Sequence, residues 1–162
     1  MNDRTIPSWR DYFLGQAFLT SQRSPDKQTQ CGCVIANGKN QIVGQGYNGF
    51  PRGLLDSQLP DTRPEKYDWM IHAEVNAVLN SNGSLDNCTA YITTMPCFNC
   101  TLLMWQAGIK KIMYAKNGKT PSMINNDSKY SDLMDKLKDM SNIKMVAVQA
   151  NLEFISNFLR QH

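Results

Sequence analysis

The chain has 162 residues, 41% of them hydrophobic and 19% charged, which is near average globular usage and excludes a disordered chain or a disulfide-stapled miniature. That length suits one domain over residues 1–162, able to bury roughly two-thirds of its unfolded surface. The net charge of +3 comes from scattered Lys and Arg rather than a basic block, so polymeric nucleic acid is not an expected partner.

Met1 to Arg10 lacks the apolar stretch of a signal peptide, and no later run approaches the ~20 apolar residues needed to cross a bilayer. The expectation is a soluble cytoplasmic protein with no membrane contact. Ser8 and Asp11 are spaced as a capping box, and Trp9, Tyr12, Phe13, Ala17 and Phe18 follow at near-helical spacing, predicting a helix to about Arg23. Cys31 to Ala36 and Gln41 to Gly46 flank the turn dipeptide Asn37-Gly38 and read as a hairpin. Tyr47 to Trp69 carries Pro51, Pro60 and Pro64 with little periodicity, the mark of a long functional loop.

Ala73 to Leu79 fits a short helix that stops at Asn82-Gly83, where glycine suits a left-handed C-cap. Strands are expected at Thr89 to Thr93 and Lys111 to Ala115, with a helix from Cys97 to Ala107 between them, opened by Pro96 and ended by Gly108. A polar loop from Lys116 to Ser128 precedes a helix through about Met140, a strand at Lys144 to Val148 and a last helix with Asn151 as N-cap. Such alternation predicts an α/β chain, a five-stranded sheet with helices on both faces.

Two short motifs carry the chemistry: His72-Ala73-Glu74 and Pro96-Cys97-Phe98-Asn99-Cys100, each opening a predicted helix. They supply one imidazole and two sulfurs, and a catalytic zinc site uses three protein ligands and keeps one corner open. The start of a helix also favours the thiolate form of Cys97 and Cys100. One Zn²⁺ held by His72, Cys97 and Cys100 would lower the pKa of water from ~16 toward ~7. Glu74, two residues past His72, is then placed as a proton shuttle between that water and an amine-bearing ring. A Cys-x-x-Cys alone is equally a structural zinc half-site or a redox pair, but neither needs the His-x-Glu, and a structural site wants four protein ligands. Cys31, Cys33 and Cys88 read as packing residues, with a second zinc as the lesser alternative.

The pair of motifs is the signature of zinc-dependent nucleobase deaminases. The sequence further resembles the deoxycytidylate (dCMP) deaminases in Ser21-Gln22-Arg23-Ser24, Gly44-Gln45-Gly46-Tyr47-Asn48-Gly49-Phe50-Pro51, His72 to Ala77, and Gln106-Ala107-Gly108-Ile109-Lys110. The resemblance implies a three-layer α/β/α fold around a mostly five-stranded mixed sheet. It implies hydrolysis of dCMP to dUMP and ammonia, a source of the dTMP precursor, in a homo-oligomer, commonly a hexamer. It implies activation by dCTP and inhibition by dTTP at a site built from Asn48, Gly49, Phe50, Arg52, Gly53 and Asn76, with Mg²⁺ as a companion of the effector triphosphate. Asn48 matches the family asparagine that bonds the sugar hydroxyl, with a turn role beside Gly49 as its alternative. Ala73 is placed with the substrate contacts, Arg23, Ser24 and Lys27 are candidates for the phosphate, and Tyr130 for closing over the nucleotide. Cys31 and Cys33 stand where the family often has Val and Ala. Free cytidine or adenosine in tRNA are the competing substrates, and a zinc or nucleotide-binding module without activity is the competing class.

Overall fold

The computed structural model describes residues 6–116 and 128–161; the interior of the expected Lys116 to Ser128 loop and the first five residues of the Met1 to Arg10 reading lie outside the described residues. Helix α1 spans Trp9–Ser21. Its start follows the expected box: the Ser8 hydroxyl accepts from the Asp11 N–H at 3.1 Å and donates to the Asp11 carboxylate at 2.8 Å, satisfying a donor that the helix leaves orphaned. The helix closes two residues before Arg23, capped by Gln22.

Strands β1 (Gly32–Ala36) and β2 (Ile42–Tyr47) pair antiparallel. The hairpin is as expected, with its turn between Ala36 and Ile42. The Asn37 N–H donates to the Gln41 carbonyl at 3.0 Å, and the Asn37 side-chain oxygen accepts from the N–H groups of Lys39 and Gln41. Positive φ falls on Asn40 at 59°. Asn37 thus organises the loop through its side chain.

Strands β3 (Thr89–Ile92), β4 (Lys111–Ala115) and β5 (Lys144–Val148) complete a five-stranded sheet of order β2-β1-β3-β4-β5. β1 is antiparallel to both neighbours, while β3, β4 and β5 run parallel, so the sheet is mixed. Helices α2 (Ala73–Leu79), α3 (Phe98–Gln106) and α4 (Ser128–Met140) lie in the connections between strands, and α5 (Glu153–Gln161) follows β5. β1 is buried throughout because both of its faces are covered. Val34 and Ala36 pack with Phe13, Leu14 and Ala17 of α1; Cys33 and Ile35 pack with Ala73, Ala77 and Met104 of α2 and α3. α5 lies against α1, where a Cβ on Gly15 would stand 2.8 Å from the Phe154 ring.

A close approach to β2 brings α2 to the site. A Cβ on Gly46 would sit 2.3 Å from the Ala77 nitrogen, so only glycine lets β2 accept the helix this closely. α2 ends at Leu79 with Asn80 as cap, before the expected Asn82-Gly83; Gly83, at φ +92°, shapes the turn that follows. At α5 the Asn151 side chain accepts from the Glu153 N–H at 3.1 Å, in line with its expected capping role.

The long segment after β2 is tied at its base by reciprocal bonds between Gly49 and Ile71, at 3.0 and 2.8 Å. It contains two 3-10 turns, Asp56–Gln58 and Glu65–Asp68. Lys66 from the second is fully buried against Asp26, N to O 2.7 Å. This internal anchor was not foreseen, because a lysine in a polar stretch reads as solvated.

Candidate active site

β1, α2 and the β3–α3 connection meet at one cavity of about 510 Å³. His72 occupies the N-cap position of α2, and Cys97 that of α3. The His72 Nδ1 lies 3.6 Å from the Cys97 sulfur and 3.3 Å from the Cys100 sulfur. The Cys100 N–H donates to the Cys97 sulfur at 3.5 Å, which turns both sulfurs of the Cys-x-x-Cys to the same side. Among the described residues, these three form the one group of metal-type ligands with donor atoms mutually within 4.8 Å.

The donor set fits zinc. Zn–N near 2.05 Å and Zn–S near 2.3 Å at a tetrahedral angle give an N–S edge of about 3.6 Å, close to both separations above. The electrostatics agree. The Cys97 thiol is held down to about 4 by the hydrogen bond from Cys100 and by His72, against the effect of burial. Cys100 is pushed up because it gives that bond and is itself buried. His72 is raised by Cys97, with burial opposing.

Glu74 sits in the first turn of α2 and is only 5% exposed. Burial raises its carboxyl above the ordinary range, and the neighbouring His72 offsets this in part. A carboxyl of that kind exchanges protons more readily near neutral pH than a solvated one.

His72, Ala73, Glu74, Cys97, Asn48 and Tyr130 line the cavity, while Cys100 lies behind Cys97, 3% exposed. Asn48 is buried; its side-chain oxygen accepts from the Cys31 N–H at 2.7 Å and its nitrogen donates to the Thr29 carbonyl at 2.9 Å. The phosphate candidates stand off the wall. Lys27 is exposed and paired with Asp61 at 2.7 Å, Arg23 is exposed, and the Ser24 hydroxyl donates to the Asn48 carbonyl at 2.7 Å. Ser24 therefore supports Asn48 from behind.

Of the expected effector residues only Asn48 is on this wall; the others lie apart from it. Gly49 belongs to the Ile71 bridge, Phe50 is half-buried, and Gly53 takes φ +84° in an exposed turn. The Arg52 guanidinium bonds the Asn80 side chain, and Asn76 donates to the Tyr47 carbonyl at 2.8 Å.

Sequence reasoning missed Asp26, Thr29, Arg63 and Tyr67, all on the cavity wall. Asp26 alone had a local signal, since an Asp after Pro25 suits an Asx turn. Its carboxylate accepts the N–H groups of Gln28 and Thr29 at 2.8 and 3.1 Å. Cys31 also faces the cavity; burial, Glu74 and Asp26 push its thiol up to about 12, so it stays neutral and behaves as an apolar wall. Cys33 and Cys88 are core residues, in line with a packing role.

Residues 7–116 match the model of the cytidine and deoxycytidylate deaminase zinc-binding region. The chain belongs to that family. That family model is of a zinc-binding region, and the His72, Cys97 and Cys100 cluster within the matched residues has a donor geometry that suits zinc. A deoxycytidylate deaminase of Pongo abelii is 43% identical over 113 residues, 65% of this chain and 64% of that protein. The chain thus spans just under two thirds of that relative's length. A deoxycytidylate deaminase of Mycobacterium phage D29 is 32% identical over 124 residues, 68% of this chain and 96% of the phage protein. Among solved structures, the dCMP deaminase of cyanophage S-TIM5 in complex with dCMP and dUMP matches with a TM-score of 0.67 and 25% identity, over 90% of this chain and all of that one. The α/β fold is that of this deaminase group. Among the described residues no helix is long and apolar enough to cross a membrane.

Proposed function

We propose that this protein deaminates dCMP hydrolytically, giving dUMP and ammonia. The observation that carries the reading is the buried Glu74 carboxyl lining the same cavity as His72 and Cys97, which form one donor set with Cys100. A zinc ion held by those three residues would supply the Lewis acidity that lets water act as hydroxide near neutral pH. Glu74 does the proton work: it takes a proton from the attacking water, passes it to ring N3 as oxygen bonds to C4, and then carries a second proton to the amino nitrogen. The C4–N4 bond breaks, ammonia leaves, and a uracil ring remains.

The rest of the wall is suited to holding a nucleotide. An amide has two N–H donors and two acceptor lone pairs; Asn48 uses one of each on Thr29 and Cys31 and offers the others to the sugar hydroxyl. Ala73 opens α2, where first-turn N–H groups lack intrahelical acceptors, and supplies a donor to the base carbonyl. Tyr130, 43% exposed at the rim, closes over the bound nucleotide. The names of the relatives and the dCMP and dUMP bound to the S-TIM5 protein support dCMP as substrate.

Regulation belongs to the same reading: activation by dCTP and inhibition by dTTP at Asn48 to Gly53 and Asn76, with Mg²⁺ brought by the triphosphate, in a homohexamer supplying the dTMP precursor. The test is product analysis of zinc-loaded protein given dCMP, CMP, dCTP, cytidine and a tRNA anticodon stem. Conversion of dCMP to dUMP is expected. Intact dCMP beside another substrate that has lost its amine would overturn the assignment.

A further inference from the structure

The cavity wall carries an arginine that the mechanism above does not use. Burial grades along this wall: Glu74 is buried, Arg63 and Tyr67 are half-buried, and Tyr130 and Lys138 are exposed. A nucleotide with its base at Glu74 keeps its phosphate, the group most costly to desolvate, toward the open end. Among the described lining residues the carboxylates of Asp26 and Asp135 each meet a lysine, Lys66 at 2.7 Å and Lys138 at 3.1 Å, and Arg63 is the only arginine.

Arg63 is held in place from several sides. Its Nη2 donates to the Thr29 hydroxyl at 2.9 Å, and its guanidinium carbon stands 5.4 Å from the centre of the Tyr67 ring. Three residues on, Lys66 locks the segment to Asp26. Thr29 is the link that matters. Its carbonyl accepts from Asn48 and its hydroxyl from Arg63, so one residue sets side by side the amide proposed for the sugar and a planar cation. Sugar and phosphate are neighbours in the same order in a nucleoside monophosphate. A guanidinium presents five N–H donors in a fork that matches phosphate oxygens, which a lysine cannot reproduce.

We infer that Arg63, positioned by Thr29, binds the phosphate monoester of the substrate and makes the site select nucleotide over nucleoside. This rests on the deaminase reading for the placement of the base, and extends it to a residue outside the two zinc motifs.

The test compares zinc-loaded wild type, Arg63→Gln and Arg63→Lys with dCMP and with deoxycytidine, reading binding by titration calorimetry and turnover by ammonia release. Arg63→Gln is expected to weaken dCMP binding and kcat/KM roughly 10- to 100-fold, the worth of charge-assisted hydrogen bonds, and to leave deoxycytidine unchanged; Arg63→Lys falls between. Full retention of the dCMP preference in Arg63→Gln overturns the inference. So does equal loss of both ligands, which marks a folding role, and so does a wild type that binds the two alike. If wild type prefers dCMP, Arg63→Gln loses that preference and neither ligand releases ammonia, the phosphate assignment stands and the deaminase reading fails.

Discussion

The ammonium of Lys66 lies 2.7 Å from the carboxylate of Asp26, with 1% and 4% of the two side chains exposed. Lys66 also donates to the Gln28 side chain at 2.8 Å, and Asp26 accepts two backbone N–H groups. The pair therefore welds the segment before β1 to the long segment after β2, and both segments contribute to the cavity wall. Breaking such a pair leaves one charge buried and uncompensated, at about 3–5 kcal/mol. Lys66→Met is expected to lower stability by about that amount in chemical denaturation, and Asp26→Asn with Lys66→Met to recover part of it. Equal stability of the single and double variants would remove the pair from this role.

The same pair sets an acid limit. Burial opposes ionisation of Asp26, but Lys66 and the N–H groups of Gln28 and Thr29 outweigh it and hold the carboxyl below its ordinary value of 3.8. A carboxyl whose folded pKa is depressed contributes stability that is complete above its unfolded pKa and is lost as pH falls through its folded one. Stability should therefore fall below about pH 4, and the Asp26→Asn, Lys66→Met protein should lose less over that range. Denaturation midpoints measured from pH 6 to pH 2 give the comparison, and parallel curves would contradict it.

Glu74→Gln keeps the shape of the carboxyl and removes its proton exchange. Because general acid–base catalysis is worth ~10²–10⁴-fold per transfer and Glu74 serves more than one, turnover of dCMP should drop by several orders of magnitude. Zinc content by elemental analysis should be unaltered. Undiminished deamination would assign the proton transfers to another group.

Cys100→Ser tests the metal centre. Cys100 lies 3.3 Å from the His72 imidazole and joins α3 to α2, so losing its sulfur should reduce both zinc content and stability, since metal binding couples to folding. Chelator treatment of wild type should lower its melting temperature in the same direction. A variant that holds stoichiometric zinc with unchanged melting would show that the sulfur is not a ligand.

Local patterns made much of this protein legible in its sequence. The Ser8 and Asp11 spacing, the apolar runs of β4 and β5 and the two helix-opening motifs act over a few residues, so a one-dimensional pattern carries them. The His72, Cys97 and Cys100 cluster was readable as a candidate metal centre for a further reason: imidazole and thiolate in that spacing have few roles besides metal binding. The turn after β1 was legible as well, and the structure adds that the Asn37 side chain bonds Lys39 and Gln41 within it, a local use of Asn that suits turns.

What only the tertiary structure decided is which distant residues share the wall. Arg23 and Lys27 have the right charge for a phosphate, yet α1 and its exit turn them outward, while Arg63, from a segment with no periodicity, is brought in by contacts to Thr29, Tyr67 and the buried Lys66 anchor. Charge and composition are properties of single residues; burial and pairing across 40 positions are properties of the packed chain, set by the free energy of removing paired charges from water. The chemistry of the centre was thus inherent in the order of its residues, and the shape of what surrounds it arose only when the segments closed on one another.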